Sequence, residues 1–275
     1  MNRLTPKLFW WTCMGCGALA TIGPFWVMVS TSLMTKAQVF QFPPALIPMP
    51  LTWHNYGQVF AQVPFLTYFL NSLLVATLTT AGQVLFCAMA AYAFSRLHFP
   101  FKNGLFFMVL ITMMIPPQVN IVPLFFVMKS FGWIDTYAGL IVPGLFGAFG
   151  VFLLRQWFNG LPLELEEAAR LDGCNPWQVF VTVALPLARP ALAALGILAF
   201  IGSWNSFMWP LIVVQSEGLS TLPVGIAALQ SSYRDVTDWG VLMAASTLSV
   251  LPVIMLFLVG QKQFVEGLLQ GSVKE

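Results

Sequence analysis

The chain has 275 residues, of which 58% are hydrophobic and 8% charged, and its formal net charge is +2. Soluble domains are usually about 25% charged, so this composition, with a mean hydropathy of +0.81, predicts an integral membrane protein. The small net charge and the lack of a Lys/Arg cluster exclude a nucleic-acid-binding function.

The first apolar segment runs from Leu8 to about Leu33. At about 25 residues it is longer than the core of a cleaved signal peptide, which has roughly 7–15, so we interpret it as a retained helix. Within it, Cys13 and Cys16 have the CxxC spacing that can serve redox or metal chemistry. The sequence offers no second cysteine pair and no nearby histidine, so we expect both thiols to pack.

Six segments approach the roughly 20 apolar residues that a membrane-spanning helix needs. Backbone groups in lipid must be hydrogen-bonded internally, which favours helices. The sequence therefore predicts an all-α integral membrane protein with six transmembrane helices in a single domain over residues 1–275. The predicted spans are about 8–32, 68–93, 104–127, 138–158, 188–213 and 239–261.

The distribution of basic residues predicts the orientation, because lysine and arginine accumulate in cytoplasmic loops. With the N-terminus inside, three basic residues are external, namely Lys36, Lys129 and Arg234. The other nine are then cytoplasmic: Arg3, Lys7, Arg96, Lys102, Arg155, Arg170, Arg189, Lys262 and Lys274. Both termini are therefore predicted to be cytoplasmic, and residues 33–67 and 214–238 form the long outer loops.

Charged groups that would carry chemistry are missing from the spans. No Asp or Glu falls inside any of them, which argues against a proton-driven carrier and leaves sodium coupling open. No lysine follows a glycine directly, so the chain has no Walker A sequence and no P-loop ATPase of its own. The spans also hold no charged catalytic pair, so no enzymatic chemistry is visible.

The longest predicted cytoplasmic segment, about 159–187, gathers charge in the stretch EEAARLDG. Acidic residues follow Pro162, near the positive end of a predicted helix, where carboxylates are favoured. Gly173 is placed to end this helix, and Asn175-Pro176 to cap and begin a second one that Pro186 bends or ends. These caps fit both an ordinary solvated loop and a surface that docks a partner.

The spacing within this segment is more specific than its caps. Glu167-Ala168-Ala169, three residues, Gly173, nine residues, Val183, one residue and Leu185-Pro186 resembles the EAA motif of ABC importer permeases. The spacing matches at every fixed position, and Val183 replaces the usual isoleucine. Further matches to the smaller, six-span permease of maltose-type sugar importers are Asn55-Tyr56, Asn71-Ser72, Met114-Ile115-Pro116-Pro117-Gln118, Leu154-Arg155-Gln156, Trp204-Asn205 and Trp209-Pro210-Leu211. Ser206 departs from that branch, which often has glutamate there.

The resemblance implies a type I ABC importer permease in the bacterial inner membrane that moves a sugar. It implies a second permease, two ATPase subunits that hold the ATP and Mg²⁺, and an external solute-binding protein. The chain itself would hold no cofactor and would not be an enzyme. A polyol, a glycosylated solute or glycerol phosphate could replace the sugar, and an ion-coupled secondary carrier is the alternative from another class.

The resemblance also assigns roles to residues. The segment 159–187, the coupling loop, would dock the ATPase through Glu166, Glu167, Ala168, Ala169, Arg170, Asp172, Gly173 and Pro186. Aromatic, amide and hydroxyl groups suit sugars, so a solute path is predicted at Gln118, Asn120, Ser203, Trp204 and Asn205. Small and polar residues also hold membrane helices together, which is the alternative role for this set. Pro116-Pro117 is expected to break the third span.

Overall fold

The computed structural model describes residues 4–43, 45–231 and 237–269, with side chains for 10–43, 45–230 and 237–263. Arg3, Arg234 and Lys274, which entered the orientation argument, lie outside the described residues, and the side chain of Lys7 does too. Where the chain is described, its regular structure is helical, as the sequence predicts.

The helices are labelled in chain order. The first seven are α1 (Leu4–Ser32), α2 (Lys36–Val39), α3 (His54–Gln62), α4 (Phe65–Arg96), α5 (Lys102–Thr112), α6 (Ile121–Ser130) and α7 (Tyr137–Ile141). The others are α8 (Ala148–Gly160), α9 (Leu163–Leu171), α10 (Pro176–Val179), α11 (Leu185–Leu187), α12 (Arg189–Trp204), α13 (Met208–Val213), α14 (Leu222–Ser231) and α15 (Trp239–Leu269). Short 3-10 turns occupy Pro117–Asn120, Val142–Gly144 and Glu217–Leu219, and a π turn occupies Phe180–Ala184.

Four segments of the described chain are long and apolar enough to cross a membrane: Trp10–Ser32, Phe65–Arg96, Tyr137–Gly160 and Trp239–Gln263. They correspond to the predicted spans 8–32, 68–93, 138–158 and 239–261. Two bent helix pairs raise the number to as many as six. Multiple helical spans are thus present, while the number six remains a prediction.

The third predicted span, 104–127, is not one continuous helix. Helix α5 ends at Thr112, and the helical segment Pro117–Ser130 leaves it at 95°. Proline lacks an N–H and disfavours helical geometry in the residue before it, so Pro116-Pro117 ends the helix, as expected.

The expectation of one helix over 188–213 is wrong. Helix α12 ends at Trp204, residues 205–207 are non-helical, and α13 begins at Met208. Pro210 explains the gap, because its ring cannot follow a continuous helix but fits the first turn of a new one. In the structure, α12 instead follows the helical segment Pro176–Leu187 after a bend of 77°, and the two segments together are long and apolar enough for a span.

The chain divides into two compact units, the first formed by residues 1–66 and 224–251. Here the buried Asn55 amide donates to the carbonyls of Ser32 and Met34, at 2.8 Å each. The Tyr56 hydroxyl bonds Ser32 Oγ at 2.8 Å. The two Asn55 bonds satisfy backbone carbonyls at and just beyond the end of α1, where a helix leaves carbonyls without partners.

The second unit comprises residues 67–223 and 252–275 and holds the main apolar core. Its fully buried residues follow helical spacing on α4, α8 and α12, so one stripe of each helix faces the others. The cluster includes Cys87, Ala88, Ala91, Tyr92, Val151, Leu154, Phe158, Phe180, Ala184, Ala191 and Leu195.

Glycines allow the segment around α8 to approach α4 closely. A Cβ atom on Gly144 would lie 2.6 Å from a Thr79 methyl, and one on Gly147 would lie 2.3 Å from the Gln83 amide. A Cβ on Gly150 would lie 2.9 Å from the Cys87 sulfur. Small residues at such contacts are typical of helix packing in membranes, where close van der Waals contact replaces the hydrophobic effect.

We predict that Gly150→Ala lowers stability by about 1–3 kcal/mol, because the added methyl overpacks a full core. The measurement is the temperature at which half of the detergent-solubilised protein remains monodisperse. Adding Cys87→Ala removes the nearest atom and should recover part of the loss. The control is Gly104→Ala, whose Cβ meets nothing within 4 Å. Equal stability of Gly150→Ala and wild type would contradict the close contact.

Candidate functional site

The coupling loop folds as a short helix, a tight turn and a second helix, as its caps predict. Helix α9 ends at Leu171, and Gly173 follows in the left-handed region with φ +88°. Gly173 N–H donates to the Arg170 carbonyl and Cys174 N–H to the Ala169 carbonyl, at 3.0 Å each. This pair of bonds is the Schellman motif, which closes a helix at a glycine.

A reciprocal cap begins α10. The Asn175 side chain accepts from Gln178 N–H at 2.9 Å, and Asn175 N–H donates to the Gln178 side chain at 2.8 Å. Pro176 holds the first helical position, where its missing N–H costs nothing. The two caps give the loop a defined shape from local sequence alone.

The outer surface of this loop carries most of the residues predicted for coupling. Glu167, Ala168, Arg170, Asp172 and Gly173 are exposed, as is Pro186, and Ala169 is half-buried. Large apolar side chains lie beside them, with Leu171 89% and Trp177 57% exposed. Exposed apolar side chains with polar residues around them are the composition expected where a partner protein binds.

Glu166 differs from these neighbours because its side chain points into the protein. Only 2% of the residue is exposed. Its carboxylate accepts from Arg96 Nε at 2.7 Å and from the Tyr92 hydroxyl at 3.1 Å, both from the end of α4. Sequence reasoning did not single out Arg96 or Tyr92 for the site, and only the positive charge of Arg96 hinted at a carboxylate partner.

Three of the five predicted solute-path residues line cavities, and they divide between two cavities rather than sharing one. Ser203 lines a cavity of about 420 Å³ in the second unit. Its other polar lining groups are Ser72, Thr79, Gln83, Ser206 and Thr221. The Thr79 and Thr221 hydroxyls are buried and make no hydrogen bond to any described residue.

The second cavity, of about 430 Å³, lies at the break between α12 and α13. Gln118, Asn205 and Ser206 contribute its polar groups. Asn120 is exposed and lines neither cavity. Trp204 is 3% exposed and packs against Phe69 and Phe200, so its ring is covered by its own chain.

Sequence reasoning also missed a network that holds residues 215–222. The Asn71 amide donates to the Gly218 and Ser220 carbonyls at 2.9 and 3.0 Å. Ser72 Oγ accepts from Leu222 N–H at 2.7 Å. Asn71-Ser72 appeared in the sequence only as part of the family resemblance, and the structure shows what both side chains hold.

Comparison with known proteins decides the family. The family described as "Binding-protein-dependent transport system inner membrane component" matches residues 83–268, which is most of the chain. The chain belongs to this family. It is therefore a permease subunit of an ABC importer in the bacterial inner membrane, not an enzyme, and ATP is hydrolysed by a separate ATPase. Membership decides against the ion-coupled secondary carrier.

Individual relatives match this permease along almost its whole length. The sn-glycerol-3-phosphate transport system permease protein UgpE of Pectobacterium atrosepticum is 35% identical and the match covers 98% of this chain and 99% of UgpE. The arabinooligosaccharides transport system permease protein AraQ of Halalkalibacterium halodurans is 34% identical, with 99% of each chain covered.

A solved structure shares the fold of this permease. It is the crystal structure of a bacterial ABC transporter involved in the import of the acidic polysaccharide alginate. One of its chains superposes with a TM-score of 0.87 at 26% identity, covering 96% of this chain and 99% of that one. The neighbour supports the type I importer permease fold that the resemblance implied.

Asp135 provides a pH-dependent test of the 215–222 segment. Its Oδ1 accepts from the backbone N–H groups of Ser216 and Gln215, at 2.9 Å each, and these bonds lower the pKa of the carboxyl group. The stabilisation is complete above the usual aspartate pKa of about 3.9 and is lost as the pH falls through the lowered folded-state pKa.

We predict that Asp135→Asn speeds hydrogen exchange at the Gln215 and Ser216 amides at neutral pH. Asparagine tolerates the left-handed φ of +56° at this position, so the change removes the charge and keeps the backbone. After correction for intrinsic rates, wild-type protection should persist down to about pH 4 and decrease only below it. Ser216→Ala, which keeps both amide bonds, is the control. Equal exchange in wild type and Asp135→Asn at pH 7 would refute the carboxylate's role.

Proposed function

We propose that the chain is the smaller, six-span permease of an ATP-driven importer for a sugar or a similar neutral polyhydroxylated solute. A second, related permease completes the pathway, two ATPase subunits bind ATP and Mg²⁺ below it, and a solute-binding protein delivers solute from outside. The observation that carries this proposal is the exposed helix–turn–helix of the coupling loop, with EAA spacing at every fixed position.

The basic residues around one end of α4 support the predicted orientation. Arg96 bonds Glu166, Lys102 Nζ donates to the Ser95 and Leu97 carbonyls, and Arg155 Nε donates to the Phe94 carbonyl. This end also carries α9. Under the positive-inside rule we expect this end to face the cytoplasm, which would put the coupling loop on the side of the ATPase. With six spans, both termini would then also lie inside.

Docking involves the exposed part of the coupling loop. Glu167 and Arg170 offer charges for ion pairs, Ala168 permits close approach, and Leu171 supplies apolar area. Closure of the two ATPase subunits on ATP would then push α9 and switch the spans between outward-open and inward-open states.

The two cavities are the proposed solute path. The polar groups that line the cavity of about 420 Å³ are hydroxyls and an amide, with no basic side chain among its lining residues. Sugar hydroxyls are recognised by such groups and by aromatic faces, here Trp209 and Phe146. A glycerol phosphate, the substrate class of UgpE, would favour a basic group, so we place it second.

We predict that Glu167→Lys abolishes both ATPase co-purification and ATP-driven uptake, because it reverses a charge on the docking surface. Gly173→Val should do the same, because a β-branched residue does not tolerate φ +88°. The measurement uses the permease co-expressed with its partner permease and ATPase and reconstituted in proteoliposomes.

The matched control for the turn is Gly173→Asn, since asparagine adopts left-handed geometry and a Cβ there meets nothing within 4 Å. It should retain uptake. Normal ATPase binding and uptake by Glu167→Lys and Gly173→Val would show that the EAA match does not mark a docking surface.

We predict that Ser203→Ala lowers the rate of uptake at limiting solute about 3–10-fold, because it removes one hydrogen bond to the solute. Ser203→Leu should weaken it further, because the larger side chain fills the cavity. The measurement is the solute concentration giving half-maximal uptake, with ATPase co-purification as a check on assembly. Ser130→Leu, at an exposed position away from both cavities, is the control. If Ser203→Leu leaves this concentration unchanged, the cavity lies off the solute path.

A further inference from the structure

We propose that Glu166, Arg96 and Tyr92 form a buried anchor through which α9 moves α4 when the ATPase closes. Glu166 is then a positioning residue inside this chain and makes no contact with the ATPase. The inference rests on the proposed docking of α9 and changes the role assigned to one residue of the coupling set. It names the connection by which movement of the loop reaches a membrane span.

The anchor joins the end of α4 to the middle of α9. Arg96 is the last residue of α4, and its side chain is 7% exposed, against 3% for that of Glu166. The guanidinium donates to one carboxylate oxygen and the Tyr92 hydroxyl to the other. Arg170 lies 3.9 Å from the second oxygen and is half exposed, so it adds positive charge at the rim.

The same arginine also ties down the start of the loop. Arg96 Nη2 donates to the Leu161 carbonyl at 2.6 Å, at the residue that caps the end of α8. The Tyr92 ring packs edge-on against Phe158 of α8 at 5.6 Å and against Phe180 at 5.0 Å. Residues that precede α9 and residues that follow it are therefore held against the end of α4.

The chemistry of this contact suits the transfer of force better than an apolar contact would. Apolar contacts are non-directional, so by themselves they do not fix the direction in which one helix pulls on another. A carboxylate that accepts a charge-assisted bond and a hydroxyl bond fixes position and direction together. Burying an ion pair is a weak source of stability, because desolvation offsets the attraction. A mainly structural role therefore does not explain why charge occupies this position.

The residues that follow Glu166 on α9 indicate that anchoring and docking use different side chains. Glu167 and Ala168, the next two residues on α9, are exposed. Neighbouring carboxylates on one helix thus face opposite ways, one toward solvent and one toward α4. A change at Glu166 should leave the surface offered to the ATPase intact.

The test measures docking and transport separately. Wild type, Glu166→Gln and Glu167→Lys are each co-expressed with the partner permease and ATPase and reconstituted in proteoliposomes. For Glu166→Gln we expect unchanged ATPase co-purification, uptake lowered about tenfold and more ATP hydrolysed per solute moved. Glu164→Gln, which removes an exposed carboxylate from the same helix, should behave like wild type.

A second variant guards against loss of folding. Arg96→Met combined with Glu166→Met replaces the ion pair by apolar side chains, a change that often preserves or raises stability. If it assembles with the ATPase but transports as poorly as Glu166→Gln, the anchor is supported. If it restores full uptake per ATP, apolar packing suffices and the proposal is overturned.

The failures are distinguishable. Loss of ATPase co-purification in Glu166→Gln, with the permease pair still assembled, would show that Glu166 belongs to the docking surface. Normal uptake per ATP in Glu166→Gln would overturn the anchor and leave docking untouched. Normal docking in Glu167→Lys would instead count against the proposed function of the loop.

Discussion

The cost of leaving charge or backbone groups without partners in an apolar environment governs this structure. Arg96 and Glu166 show this cost most directly, because both side chains are buried and bond each other. Asp135 bonds two backbone amides, and Lys36 bonds Asp238 at 2.9 Å, at more exposed positions. Each bond holds together segments that are distant in sequence. Charge is scarce in this chain, and the buried Arg96–Glu166 pair joins α4 to α9.

The same constraint accounts for where the polar cavities lie. Non-helical backbone within the spanning part of a protein is tolerated where it is covered by protein or lines a cavity. The chain breaks after Thr112 and again after Trp204, and both breaks border the cavity that contains Gln118 and Asn205. Prolines that prevent continuous helices therefore also bring amides and hydroxyls together, which is the chemistry that a polyhydroxylated solute requires.

Local signals predicted the coupling loop well, because caps and turns depend on adjacent residues. From the sequence alone, Gly173 predicted the end of α9 and Asn175 predicted the start of α10. The inward face of α9 could not be predicted in this way. The sequence grouped Glu166 with Glu167 as docking residues, whereas Glu166 is buried and Glu167 is exposed. The reason is Arg96, 70 residues away, whose contact no local period reveals. Among the spans, Pro116-Pro117 correctly predicted the break in the third span. The break that Pro210 causes in the fifth span was not predicted.

Helix α4 connects the two ends of the proposed mechanism. It runs unbroken for 32 residues, about 48 Å at 1.5 Å per residue. At one end Arg96 and Tyr92 hold the helix that would meet the ATPase, and at the other Asn71 and Ser72 hold residues 218–222. A stiff element with defined contacts at both ends can carry coupling over such a distance. Since a continuous helix resists compression far more than a loop does, displacement of α9 would reach the opposite end of α4 with little loss.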